Sequence, residues 1–162
     1  MHIITANVNN LEDIMRLNRA VQDLHVKNEP DKFIPFDEAS VGEYLLAAFS
    51  NPAITFLVAI DDDKQVVGYV MLHVQERNKN AYSHPRQFLE LEQISVDPHF
   101  RKCGIGSALV EEAFAFAKSS GISDLELSVW QFNNEAQKLF HSKGFAPFCQ
   151  RMCLSLPERG DQ

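Results

Sequence analysis

A pair of glutamates and a glycine-punctuated loop are the parts of this sequence best equipped to do chemistry. The loop is Arg101-Lys102-Cys103-Gly104-Ile105-Gly106-Ser107, preceded by Ile94-Ser95-Val96-Asp97-Pro98 and followed by apolar residues at Leu109, Ala113 and Ala117. Ile94 and Val96 alternate with Ser95 as in a half-buried strand, and the spacing from Ile105 onward is that of a helix. Glycines at such a junction let the backbone turn without a Cβ in the way, and the helix start aims unbonded N–H groups outward. The helix dipole adds partial positive charge, so the junction is a cradle for an anion, phosphate above all. Glu90 and Glu92 lie just upstream. On a regular strand both share the face of Ile94 and Val96. A carboxylate on a strand's buried side is costly unless it is paired or stands in a wet cleft. A β-bulge here would change which side chain faces that cleft.

The phosphate ligand can be narrowed. Ser107-Ala108 follow Gly106 where a P-loop needs Lys and Ser/Thr, and Leu109 stands where a dinucleotide fingerprint needs a third glycine. What remains is Leu91-Glu92-x-Ile94-x-Val96-x-Pro98-x-x-Arg101-x-x-Gly104-Ile105-Gly106. This stretch resembles the GNAT superfamily of N-acetyltransferases, and Leu91-Glu92-x-Ile94-x-Val96 is nearest to its small-amine and polyamine members. A second stretch, Asn133-x-x-Ala136-x-x-Leu139-Phe140-x-x-x-Gly144-Phe145, follows the family's later signature, except that many relatives carry Tyr at Phe140. The resemblance implies acetyl-CoA as co-substrate and no metal. It implies that Arg101, Lys102, Cys103, Gly104, Ile105, Gly106 and Ser107 hold the pyrophosphate through backbone N–H groups. It further implies that Ile94, Ser95 and Val96 run beside the pantetheine, that Asn133 contacts the same arm or the nearby phosphate, and that Phe140 stands near the sulfur.

The implied activity is acetyl transfer to a primary amine, of a small molecule or a peptide, by direct attack through a tetrahedral intermediate. An alkylamine with a pKa of about 10.4 is protonated at neutral pH, so a proton acceptor is needed. Glu92 is the first candidate and Glu90 the second. The departing thiol has a pKa of about 8.5 and can leave as thiolate, so Phe140 in place of Tyr costs rate rather than the reaction. Water, Tyr69, Tyr82 and His141 are the alternative acids. A CoA-binding module without turnover is the competing reading, suggested by Phe140, and a nucleotide-phosphate binder is a third. His25 could steer or deprotonate substrate, but reads first as a helix-end residue. Cys103 is incidental in a loop that uses its backbone.

These groups need a scaffold. The chain has 162 residues, 45% hydrophobic and 23% charged, which is the size and balance of one globular domain. We expect an α/β (α+β) fold over residues 1–156, with a mixed, mostly antiparallel central sheet and helices on both faces. Strands are expected at 2–6, 54–60, 66–74, 88–96 and 125–130, and in one or two pieces over 145–148 and 150–156. Helices are expected from Asn10 to about Lys27, from a capping box at Ser40-Val41-Gly42-Glu43 to about Phe49, after Gly106, and over 133–143. The order is β-α-α-β-β-β-α-β-α-β, with a frayed tail at 157–162. A net charge of −7 argues against nucleic acid, and no apolar run approaches membrane-spanning length. Three cysteines without a CxxC and the absence of a signal-peptide pattern suit the cytoplasm. A homodimer is compatible with the sequence, which does not decide the assembly.

Overall fold

The computed structural model describes residues 1–156; the tail expected at 157–162 lies outside them. Strand β1 (His2–Thr5) leads through a 3-10 turn into α1 (Leu11–Asn28) and α2 (Glu38–Phe49). Then come β2 (Ile54–Ile60), β3 (Val66–Arg77), β4 (Arg86–Val96), α3 (Ile105–Ser119), β5 (Leu125–Leu127) and α4 (Asn134–Ser142). The five strands lie in the order of the chain, antiparallel from β1 to β4, with β5 added parallel to β4. A parallel neighbour needs a crossover, and α3 supplies it.

The sheet is apolar on both faces because each is covered. Ile14 and Leu17 of α1 and Leu45 of α2 pack with Phe56, Val58, Tyr69 and Met71 on one side. On the other, Leu109, Val110 and Ala113 of α3 and Phe140 of α4 pack with Leu57, Val70, Leu72, Leu89 and Leu91. Helix α3 approaches closely at Gly68, where a Cβ would stand 3.1 Å from Ile105 Cγ2 and 3.2 Å from Leu109 Cδ1.

Three expectations need correction. The capping box at Ser40 is not the start of α2: Asp37 is the cap, its side chain accepting from the Ser40 N–H at 2.8 Å, and the helix begins at Glu38. The strand expected over 125–130 ends at Leu127, because the chain beyond it departs from β4. The strands expected over 145–148 and 150–156 are absent among the described residues. That stretch has the alternation of a strand but makes no ladder.

Candidate active site

The end of β4 and the start of α3 form one half of the site. Asp97 caps the short turn Pro98–Phe100 by accepting from the His99 N–H, and it accepts from Arg16 Nη1 of α1 at 2.7 Å. Burial alone would raise this carboxyl, but the His99 N–H and the Arg16 guanidinium hold it below its ordinary value. The loop then uses two left-handed residues, Lys102 (φ 63) and Gly104 (φ 81), the latter as N-cap of α3. The two glycines do different work. Gly104 supplies the left-handed turn, with open space where a Cβ would go. Gly106 lies within the helix, where a Cβ would come 3.2 Å from Leu139 Cδ2 of α4 and 3.7 Å from Val96 Cγ2. Its small size seats the helix start against α4 and β4.

Ala108 N donates to Gly104 O, the first bond of the helix, so the N–H groups of Ile105, Gly106 and Ser107 precede the intrahelical ladder. Arg101, Lys102, Cys103 and Gly104 are exposed, leaving two cationic side chains beside those donors. Strand β5 pairs only with Leu89–Leu91, so no described strand covers β4 from Glu92 to Val96 on that side. Asp97 N donates to Val67 O across to β3. Because successive N–H groups alternate sides, those of Val96 and Ile94 point to the open edge. An anion cradle thus continues into a short row of free strand donors.

The other half is built on a bulge. Met71 pairs with Gln93 and Leu72 with Leu91, so Glu92 is an extra residue in β4. Leu89, Leu91, Ile94 and Val96 face α3, while Gln93 and Ser95 turn to α1: Asn18 Nδ2 donates to Gln93 Oε1 at 3.1 Å, and Ser95 Oγ donates to Leu17 O at 2.8 Å. The register therefore puts Glu90 and Glu92 on the α1–α2 face, opposite Ile94 and Val96. The expectation that all four share one face assumed an unbroken strand, and the bulge overturns it.

On that face the carboxylates are engaged. His73 Nδ1 stands 2.7 Å from Glu92 Oε1, both side chains 22% exposed. A carboxylate only accepts, so Nδ1 carries the proton, and a neutral ring leaves Nε2 bare. Gln75 Nε2 donates to Glu90 Oε2 at 2.9 Å, tying the second carboxylate to β3. Burial first, and then the Glu92 charge, push the Tyr44 phenol above its ordinary value, so this α2 hydroxyl keeps its proton beside Glu92. Next to these groups Tyr69 OH donates to Gln93 Oε1 at 2.9 Å and accepts from Asn18 Nδ2 at 3.0 Å.

The remaining sequence candidates separate clearly. Asn133 caps α4, its side chain accepting from Ala136 N at 3.2 Å. The Ser95 hydroxyl is committed to α1, leaving its backbone in the strand. Phe140 is 5% exposed and meets Phe145 edge-on at 5.7 Å, so its ring is part of the core. Among the alternative acids, Tyr69 is fully buried and hydrogen-bonded, Tyr82 is 99% exposed on a loop, and His141 Nδ1 faces Phe145 O. His25 contacts Phe33 and Phe132, and its Nδ1 is 2.7 Å from Val21 O. Sequence reasoning missed His73, Gln75 and Tyr44. The pairing of His73 with Glu90 is a signal that needs the β3–β4 register, and Tyr44 needs the packing of α2.

Comparison with known proteins adds four findings. A model of the Acetyltransferase (GNAT) family matches residues 14–145. The chain is 29% identical over 129 residues to the aminoglycoside N(6')-acetyltransferase type 1 of Klebsiella aerogenes, covering 79% of this chain and 82% of that protein. It is 28% identical over 125 residues to an uncharacterized N-acetyltransferase of Lactobacillus delbrueckii subsp. lactis, covering 77% of this chain and 71% of that one. Among solved structures, a mutant of the BH1408 protein from Bacillus halodurans superposes with a TM-score of 0.92 at 27% identity, over 97% of this chain and all of that one.

Proposed function

The chain belongs to the GNAT family of acetyltransferases, and on that premise we propose that it moves the acetyl group of acetyl-CoA to the primary amine of a small cationic molecule. The donor side fits that substrate: the pyrophosphate is received by the N–H groups from Arg101 to Ser107, with Arg101 and Lys102 adding charge. The pantetheine lies along the open edge of β4 and pairs with the N–H groups of Ile94 and Val96. Asn133 borders the same arm. One relative is an aminoglycoside N(6')-acetyltransferase, and an acidic face on this chain suits a cationic amine acceptor.

The observation that carries this reading is the Glu92–His73 pair on the face opposite α3. An amine with a pKa of about 10.4 arrives as an ammonium ion. Glu92 attracts it and accepts its proton, while His73 orients the carboxylate through its Nδ1–H. Glu90, held by Gln75, adds negative charge without being the nearest acceptor. The neutral amine attacks the thioester carbonyl, the now cationic nitrogen releases its second proton to solvent, the oxyanion collapses with cleavage of the C–S bond, and the CoA thiolate takes a proton back from water. Tyr44, which stays protonated, steers the acceptor by hydrogen bonding.

The test is CoA release with acetyl-CoA and a panel of aminoglycosides, polyamines and N-terminal peptides, with the products weighed by mass spectrometry. Acetylation of at least one small polyamine above background thioester hydrolysis is expected. Turnover confined to peptides would reassign the acceptor. No turnover with any amine, CoA still bound, would leave a binding module.

A further inference from the structure

Gln93 directly follows the bulged Glu92 and turns to the same face of the sheet, but neither the donor loop nor the carboxylate pairs use it. Its amide is held by one end. Oε1 accepts from Asn18 Nδ2 at 3.1 Å and from Tyr69 OH at 2.9 Å, and Asn18 Nδ2 also donates to Tyr69 OH at 3.0 Å, closing a triangle. Tyr69 is fully buried in β3 and Asn18 belongs to α1, so two elements grip the residue after the bulge. With both lone-pair sites of Oε1 taken, the planar amide has one orientation, and Nε2 points away from α1 and Tyr69.

Among the described residues nothing accepts from Gln93 Nε2, and no buried side-chain nitrogen or oxygen there lacks a partner, so this donor reaches open space. Tyr44 of α2, half exposed, flanks that space, within electrostatic reach of both Glu92 and Tyr69. Opposite chemistries therefore stand side by side: Glu92 and Glu90 only accept, and the free end of Gln93 only donates. An ammonium suits the carboxylates and not the amide, because it carries hydrogens and no lone pair. The reacting nitrogen does not suit the amide either, since its lone pair goes to the thioester carbon. A plain alkyl polyamine would strip this donor of water and leave it unpaired, which weakens binding.

We propose that Gln93 selects the acceptor by donating from Nε2 to a hydroxyl oxygen on a carbon near the reacting amine, so that amino alcohols and amino sugars are preferred to plain alkyl polyamines. This rests on the acceptor role given to Glu92 and sharpens it, because the hydroxyl decides which nitrogen of a polyfunctional amine meets that carboxylate. Asn18 and Tyr69 are positioning residues: they hold the accepting end of the amide, so the donating end is presented already ordered.

Matched amines test the proposal: ethanolamine against ethylamine, and diaminopropanol against diaminopropane. Each pair is compared by kcat/KM with acetyl-CoA and by Kd from titration calorimetry with CoA bound. The parent should prefer the hydroxylated member by up to about tenfold, the worth of one good hydrogen bond. Gln93→Glu keeps an oxygen for Asn18 and Tyr69 and removes the donor, its added charge acting on both amines alike; Gln93→Met removes both ends. In both variants the preference should shrink toward none. Intrinsic reactivity of the amines is common to every form, so the change in their ratio reads the contact. A preference that survives Gln93→Glu overturns the selection, as does equal treatment of both members by the parent or binding of neither. Equal loss of both amines in the variants overturns it too, and would show that Gln93 serves the fold alone. A hydroxyl preference in Kd that Gln93→Glu removes, with no acetyl transfer to any amine, would support the contact and overturn the acetyl-transfer reading instead.

Discussion

Glu92 Oε1 and His73 Nδ1 meet at 2.7 Å across adjacent strands, although the ladder pairs His73 with Glu90. The bulge produces this diagonal: the extra residue brings Glu92 to the side of His73, while Gln75 takes Glu90. The two carboxylates therefore differ in partner, which separates their expected effects.

Glu92→Gln keeps shape and removes charge. The rate with a cationic amine should fall more than tenfold with CoA affinity unchanged, whereas Glu90→Gln should stay within a few-fold of the parent. Steady-state kinetics beside CoA titration decides it, and equal losses in both variants would remove the distinction. His73→Gln should lower kcat more than it raises KM, because it loosens the acceptor without removing its charge.

Two substitutions in the donor loop should fail for different reasons. Gly104→Ala places a Cβ residue at φ 81, costing about 1–2 kcal/mol through backbone strain alone. Gly106→Ala meets Leu139 Cδ2 at 3.2 Å and should be partly rescued by Leu139→Ala. No such rescue is expected for Gly104→Ala. CoA affinity and thermal midpoint, measured on both single variants and both pairs with Leu139→Ala, would show it.

Asp97 links α1 to the donor loop, and its carboxyl lies below its ordinary value in the fold. A depressed pKa contributes stability that is present above the unfolded value, about 3.9, and lost as pH falls through the folded one. Asp97→Asn should therefore lose stability at neutral pH and approach the parent as pH falls through the lowered folded value of Asp97. A loss of similar size at every pH would show that the carboxylate's charge is not what stabilises this junction.

Phe140→Tyr adds a hydroxyl to a ring that is almost wholly buried. Without a partner it should cost about 1–3 kcal/mol. Denaturant unfolding should detect that loss, with acetyl transfer little changed. A gain in rate at unchanged stability would instead place this position beside the sulfur.

What could be read from the sequence divides along the range of the interactions. The turn at Gly104, the cap at Asn133 and the helical spacing after Gly106 are local, and each stands where the residues put it. Asp37 displaced Ser40 as the cap of α2 because both are competent caps and only the approach of the chain selects between them. The faces of Glu90 and Glu92 were not legible, since a bulge depends on the partner strand. His73 and Tyr44 join the site from 19 residues before Glu92 and from another layer. The alternation over 148–156 was legible, but the absence of a ladder for it within this chain was not.

Glu92 is also the one residue of β4 that the sheet does not require. Without it Leu91 and Gln93 become neighbours, and they already pair with Leu72 and Met71, so the ladder closes in register with every other side chain on its present face. Loss of a single codon would leave a heritable, foldable descendant stripped of that carboxylate alone. With the role proposed for Glu92, such a deletion would remove the proton acceptor in one step while keeping the scaffold and the Arg101–Ser107 loop. Retention of the surplus residue in a descendant would report selection on the carboxylate and its His73 partner rather than on the ladder.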